Sequence, residues 1–427
     1  MIVYIKVSNT LIYSSPVTFS MKANLHYRKF PTACVSYDDV DVLKSAVLIG
    51  PNNTGKTNFV RIVRLLRDIL LNDKYVIKSN LFSSDSVSEI ALSFISEGDQ
   101  YLFEFRYDTG KKEFLYERYA RVLRDRYRNV REEDILIRNN VTGKHYAVDT
   151  ELLKMMGSLS KKSIILGVVD TSLFPGIDLF RKRATSFAEK IDIVDMNNIP
   201  LQNTVRMMKT QGEKKERLVR FIKSADLDLD DFRYLTDEEA GKMLSHGFDD
   251  DELLPQEAVL SSTVSPEEMM HLGSVYRGVT MPSVLFDSTG TKKMTALSSY
   301  IINALEDGRI LVVDELDGSL HFALTRSVFS LFNNALNTKA QLIATVHDIS
   351  LLDCMTLFRK EQIWFTSKDR NDTYLYSLAS FTAGKDGIRA ESDLVEMYRR
   401  GYLGALPEPD FFEVLSDIAS DSSQKTE

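Results

Sequence analysis

Alternating apolar and polar residues open the chain. The stretch MIVYIKVSNTLIYSSPVTF has a period of two, so residues 1 to about 20 are expected to form a strand pair. The apolar block KSAVLIG, Lys44–Gly50, reads as a short buried strand. After a Gly/Asn loop the period lengthens to that of a helix in KTNFVRIVRLLRDILLNDK. There Phe59, Val60, Val63, Leu65, Leu66, Ile69 and Leu70 share one broad face. Alternation returns in Ser88–Asp108, two strands around EGDQ, and continues through KKEFLYERYARVLRDRYRNVREEDILIR as further strands.

From about residue 150 to 275 the character changes. Helical patches such as KKERLVRFIKSA, Lys214–Ala225, are broken by Pro175, Gly176, Pro200 and Pro255. Acids crowd ADLDLDDF and FDDDELL. A mostly helical insertion is expected, and no heptad pattern survives long enough for one coiled coil. An α/β order then resumes: a helix from VLFDSTGTKKM onward, a strand at 310–314, the helix FALTRSVFSLFNNAL, and strands at 341–346 and 362–367. The division expected is 1–115, the first part of a head; 116–275, a strand extension and the helical insertion; 276–407, the second part of the head; and 408–427, a polar tail expected to be disordered. No internal repeat is found.

Composition narrows the class. A chain of 427 residues, 44% hydrophobic and 27% charged, reads as a soluble globular protein of two or three domains. The net charge of −8 argues against whole-surface attraction to DNA or to an anionic membrane, leaving only a local basic patch. Cys34 and Cys354 are the two cysteines, with neither CxxC nor zinc spacing, which suits a reducing, cytoplasmic location. The start lacks the cationic-then-apolar order of a signal peptide, and no window approaches 18 apolar residues, so no membrane span is expected.

The loop GPNNTGKT, Gly50–Thr57, fits G-x-x-x-x-G-K-[ST] and sits between the expected strand and helix. Glycines let consecutive N–H groups turn toward a phosphate, and the helix start adds partial positive charge. Gly50, Pro51, Asn52, Asn53, Thr54, Gly55, Lys56, Thr57 and Asn58 are therefore candidate nucleotide contacts. Lys56 would reach the β and γ phosphates, and Thr57 would ligate Mg²⁺. Downstream, ILVVDE ends an apolar strand with two adjacent acids: Asp314 is placed to hold Mg²⁺ and Glu315 to polarise an attacking water. His347 follows the apolar strand LIATV and emerges where ligands bind in open α/β sheets.

These motifs, with VVDELDGSLH and ATVHD in this order and spacing, resemble the ABC-class P-loop ATPase heads of the SMC, RecF and OLD branch. The resemblance covers about 1–115 and 275–407 and implies an α/β fold, a mixed sheet flanked by helices. It makes Gly50, Gly55, Lys56 and Thr57 the Walker A residues, Asp314 the Walker B aspartate, Glu315 the catalytic glutamate and His347 the switch histidine. LDGSLH, with Asp317, Ser319 and Leu320, takes the place of the D-loop. FDSTGTKKM, Phe286–Met294, stands where that class keeps its signature, so Ser288 and Gly290 would act on ATP held by a second subunit. The acid-Ser-x-Gly-Thr form is similar to that of stand-alone ATPases of bacterial phage defence, AbiL-like or RloA-like. The resemblance implies an ATP-sandwich homodimer or higher oligomer, acting as a sensor or scaffold with a separate effector such as a nuclease or toxin. The alternative is a DNA-binding ATPase of the SMC or RecF kind.

Weaker signals remain. Tyr116–Arg131, with six arginines and three tyrosines, fits either an exposed strand pair or a nucleic-acid contact. The acidic run Asp226–Glu252 reads as solvated surface or a docking face for a basic partner. Gln100 lies in the region expected for a Q-loop but reads as a solvated turn residue. His321 could pack at a helix start; His26, His145, His246 and His271 show no metal spacing. About 20 residues follow GYLGALP, too few for an OLD-type nuclease domain, and neither GxSxG nor HExxH occurs.

Overall fold

The computed structural model describes residues 1–24, 27, 29–37, 40–124, 129–210, 212–225, 227–245, 266–369, 372–389, 392–404, 406, 411–412 and 414–415. The expected disorder of the tail, His26, His246 and most of the second half of the acidic run lie outside them. The strands are β1 (Ile2–Ser8), β2 (Val17–Ser20), β3 (Cys34–Tyr37), β4 (Val40–Leu43), β5 (Ser45–Ile49), β6 (Val87–Ser96), β7 (Asp99–Asp108), β8 (Glu113–Arg124), β9 (Val130–Asn139), β10 (His145–Ala147), β11 (Ile191–Asp195), β12 (Asp231–Tyr234), β13 (Leu272–Tyr276), β14 (Val279–Pro282), β15 (Ile310–Asp314), β16 (Gln341–Val346), β17 (Ile363–Asp369) and β18 (Asp372–Ser377). Six helices carry the argument: α1 (Lys56–Leu71), α2 (Pro175–Glu189), α3 (Gln202–Lys209), α4 (Glu213–Ser224), α5 (Thr289–Asp307) and α6 (Phe322–Asn333).

Two large sheets form the molecule. The site-bearing sheet runs β11-β15-β16-β5-β17-β18, parallel except for the antiparallel edge strand β18. Its strands are near-continuous apolar runs because both faces are covered. Along β5, Ala46 and Leu48 face one core; Val47 and Ile49 face the other. The first core is closed by α1, α2 and the antiparallel sheet β10-β9-β8-β7-β6-β1-β2, with Tyr119 stacked on Phe180 at 4.8 Å and Phe94 on Phe187 at 4.4 Å. The second is closed by α5 and α6 through Met294, Leu297, Ile301, Val328, Phe329 and Phe332. Helix α1 buries its Phe59, Ile62, Val63, Leu66 and Ile69 stripe and stops at Asn72, which is left-handed at φ 56°.

The sequence-based hairpins at 1–20 and 88–108 form as expected. Within 116–275, β8 and β9 are strands as expected and continue the antiparallel sheet that β1 begins. The remainder differs from a mostly helical insertion in two ways. β11 joins the site-bearing sheet, in parallel register with β15 from Ile191↔Ile310 to Asp195↔Asp314. β12 pairs with β13 beyond the acidic run, making a small β12-β13-β14 sheet that shares a core with α3 and α4. Five residues of β11 were too short a signal between two proline-broken helical patches.

The antiparallel sheet holds a fully buried ion pair, Arg138–Glu117, both side chains 0% exposed. Tyr119 Oη and the Ile165 N–H also donate to Glu117, and Arg138 donates to Ser160 O and Ser163 O. The pair thus pins residues 160–165 to the sheet. Arg138→Met should cost about 3–5 kcal/mol, because it leaves a buried carboxylate without its cation. Denaturant unfolding measures it, and Arg138→Met with Glu117→Leu should recover much of the loss.

Candidate functional site

The phosphate loop is shaped by its neighbours. A Cβ on Gly50 would lie 2.3 Å from Thr366 Oγ1, so β17, parallel to β5, leaves room only for glycine. Gly55 is at φ 104°, and a Cβ there would meet Ile12 Cδ1 at 2.4 Å. Tyr13 Oη, from the β1–β2 connection, donates to Gly55 O at 3.1 Å. Thr54 Oγ1 donates to Pro51 O and accepts from Thr366 Oγ1, both at 2.7 Å. Asn52, Asn53 and Thr57 are exposed around this braced backbone, and Asn58 Oδ1 accepts from Arg61.

Lys56 is the first residue of α1 and is buried. Its Nζ donates to Gly50 O at 2.5 Å and Pro51 O at 2.9 Å, and lies 3.4 Å from His347 Nδ1. Burial pulls its pKa down to about 8, against the upward pull of Glu315, Asp314 and Asp317. No ion pair involves Lys56 among the described residues. A buried cation held by loop carbonyls, at a helix start, is chemically suited to an anion such as a phosphate chain.

β15 and β16 bring the acids to the same edge. Thr345 Oγ1 donates to Asp314 Oδ1 at 2.5 Å and accepts the Glu315 N–H at 2.8 Å. Glu315 sits at φ 56°, a left-handed position unusual for a side chain of its kind. Its Oε2 accepts from Asn197 Nδ2 at 2.7 Å, and its Oε1 lies 3.8 Å from His347 Nε2. Asp317 Oδ2 accepts the N–H groups of both His347 and Asp348 at 2.7 Å, while Oδ1 is buried with no partner among the described residues. The expected D-loop aspartate therefore anchors the expected switch histidine within its own chain. Thr57 Oγ1 and the Asp314 carboxylate are hard oxygen donors of the kind Mg²⁺ takes beside substrate phosphates.

The structure thus gathers Gly50–Lys56, Glu315 and His347, with Asp314 held beside them through Thr345. Ser288 and Gly290 lie elsewhere: no described hydrogen bond joins them to the phosphate loop. Ser288 caps α5 by accepting the Thr291 N–H at 3.1 Å, and a Cβ on Gly290 would lie 2.7 Å from Ser319 O. Lys293 Nζ is 3.2 Å from Ser319 Oγ. Asp287 is buried and accepts the hydroxyls of Ser274 and Tyr276 at 2.7 and 2.8 Å, and that of Ser283. His321 caps α6 by accepting the Ala323 N–H at 3.3 Å. Gln100 is no solvated turn residue. It is buried, donating to Ser93 Oγ at 2.7 Å and accepting from Arg124 at 2.8 Å, because the β6–β7 turn falls at Glu97–Gly98.

The described part of Tyr116–Arg131 forms sheet, with Asp125–Arg128 outside it. Arg118 is paired with Glu104, Glu132 and Asp134 at 3.5, 2.7 and 2.6 Å, and Arg121 with Asp99 at 2.6 Å. Sequence reasoning missed Asn197, Thr345 and Tyr13. Thr345, inside LIATV directly before His347, is the one a polar residue in a buried strand could have flagged.

A strand-loop-helix cradle for phosphate, sharing its sheet edge with two acids, defines a P-loop nucleotide hydrolase. The chain belongs to the family described as "AAA domain, putative AbiEii toxin, Type IV TA system", which matches residues 45–152 and 169–353. It is therefore an ATP-binding P-loop ATPase of that AAA-domain family. The match runs from β5 past His347 and takes in 169–275, most of the segment expected to be a separate insertion. No curated protein sequence matches. Among solved structures, the SMC head domain from Thermotoga maritima is similar at 10% identity and a TM-score of 0.41, covering 88% of this chain and 98% of that one. A structure of the SmcHead bound to the C-winged helix domain of ScpA is similar at 12% identity and a TM-score of 0.41, with 88% and 97% covered.

Thr345→Val keeps the shape of β16 but strips one donor from Asp314 and the acceptor from the Glu315 N–H. ATP turnover should fall by about tenfold or more while melting stays near wild type, as measured by phosphate release and thermal unfolding.

Proposed function

We propose that the protein is a Mg²⁺-dependent ATPase switch that closes as a dimer on ATP and acts as sensor or scaffold of a bacterial antiphage system with a separate effector. The observation that carries the hydrolytic reading is Lys56: a buried cation with no direct ion pair among the described residues, at one sheet edge with Asp314 and Glu315. Lys56 and the loop N–H groups of Gly50–Thr57 would hold the phosphates; Thr57 and Asp314 would hold the metal. Mg²⁺, when bound with ATP, supplies charge neutralisation on the phosphates. Glu315, with Oε2 held by Asn197, turns Oε1 toward His347 at 3.8 Å, where it would orient a water and take its proton. His347, 3.4 Å from Lys56 Nζ and 3.8 Å from Glu315 Oε1, would sense the γ-phosphate.

The dimer reading rests on Ser288 and Gly290, which open α5 with no hydrogen bond to the chain's own phosphate loop among the described residues, as residues serving a second subunit would. ATP would then be the glue of the dimer and hydrolysis its release, a nucleotide-controlled two-state device. The defence role, with its AbiL-like or RloA-like branch and its nuclease or toxin partner, rests on the signature's form and on the family's description. We place the protein in the cytoplasm, and among the described residues no helix is long and apolar enough to cross a membrane. Direct DNA contact through Tyr116–Arg131 draws no support from Arg118 and Arg121, which already have acidic partners.

Glu315→Gln should lower ATP turnover by about 100-fold or more and leave a dimer that persists with ATP on size exclusion. Lys56→Ala should lose nucleotide binding and the dimer together. A wild-type rate for Glu315→Gln would sink the hydrolytic assignment. The defence role predicts that the chain co-elutes with a neighbouring gene product in an ATP-dependent manner.

A further inference from the structure

We infer that Asn197 is a positioning residue for hydrolysis, fixing the Glu315 carboxylate and tying it to the helix that Ser288 opens. The inference rests on the reading of Glu315 as the group that orients water.

The register of β11 and β15 places Asp195 opposite Asp314, so both chains leave the sheet at one level. Asp195 Oδ1 then accepts the Asn197 N–H at 2.9 Å, which sets the direction of the next side chain. Asn197 Nδ2 donates to Glu315 Oε2 at 2.7 Å. The amide orientation is dictated by chemistry, since a carboxylate only accepts. Glu315 is 35% exposed at its side chain and carries a long, flexible stem. Thr345 fixes only its backbone. Among the described residues, Asn197 makes the hydrogen bond that holds the carboxylate itself. One oxygen is thereby occupied, and the other is left toward His347.

The same segment reaches the signature helix. Tyr300 Oη donates to Pro200 O at 3.3 Å, and Thr204 Oγ1 lies 3.4 Å from Thr295 O. Tyr300 and Thr295 belong to α5, whose cap is Ser288.

The test measures kcat and KM for ATP, with Mg²⁺, on the full chain and its variants. Asn197→Ala should lower kcat about tenfold, with KM within about twofold of wild type, the loss expected of one charge-assisted hydrogen bond. Asn197→Asp is nearly isosteric but sets a second carboxylate against Glu315, so it should be slower than Asn197→Ala. A residue that only shapes its loop would give the reverse order, and Asn197→Asp at or above the Ala rate overturns the proposal. Glu315→Gln in the same assay separates the two readings. If it retains wild-type turnover, the role of Glu315 has failed; if it is inactive while Asn197→Ala turns over normally, this inference alone has failed. Should Asn197→Ala not fold, the Asp variant compared with Asn197→Ser, which keeps a donor, decides the same question.

Discussion

The site depends on three parallel strands that end within one position of one another. β15, β16 and β5 pair in register from Ile310↔Gln341 and Leu342↔Ser45 upward, so Val346 and Ile49 finish together and Asp314 ends one position before them, at the level of Thr345. Every chemical group then enters from a loop just beyond the sheet, as open parallel sheets require of their ligand crevices. Between their first and last residues the three strands are apolar except for Thr345, and that exception is the bridge between the two acids. A one-residue slip of β16 would turn this hydroxyl to the opposite face and put an apolar side chain between Asp314 and Glu315.

Locally unfavourable features gather at that edge. Among the described residues Lys56 is buried with no direct ion pair and Asp317 keeps a buried oxygen without a partner, while Glu315 is left-handed and Asn53 has φ 61°. Each costs folding free energy, and each becomes reasonable once a phosphate chain is considered. A phosphate would satisfy the cation, and the strained backbone turns donors and acceptors outward. Other charges buried in the molecule are met by partners within the chain. The buried pair Arg138–Glu117, well away in the antiparallel sheet, meets Tyr119, Ile165, Ser160 and Ser163.

The legible parts of the sequence were those with local causes. GPNNTGKT and VVDE announce themselves because phosphate and metal chemistry fix residue type and spacing, and the hairpins at 1–20 and 88–108 because alternation is local. Tyr13, Asn197 and Thr345 were not legible as site residues. Their roles come from pairings 42, 118 and 31 positions away, to Gly55, Glu315 and Asp314. Gln100 misled for a related reason: a turn-like neighbourhood said nothing of Arg124 and Ser93 closing over it. The arginines of Tyr116–Arg131 looked available because their acids, Asp99 and Glu104, lie on the neighbouring strand.

β11 changes what the segment between the two head portions can do. An appendage joined by flexible linkers could move without disturbing the sheet. Here the chain instead runs through α2, packed on the first core, and forms the edge strand beside β15. Only then does it enter the module built from α3, α4 and β12–β14. It returns through Ser283–Phe286 to Asp287, whose carboxylate accepts hydroxyls from Ser274 and Tyr276 of β13. The module is therefore attached at two points: one opens beside Glu315, the other adjoins Ser288. A load on the small sheet has a short, covalently continuous path to both Glu315 and Ser288, the residue that caps α5. That is the mechanical requirement for a switch whose trigger binds away from its nucleotide.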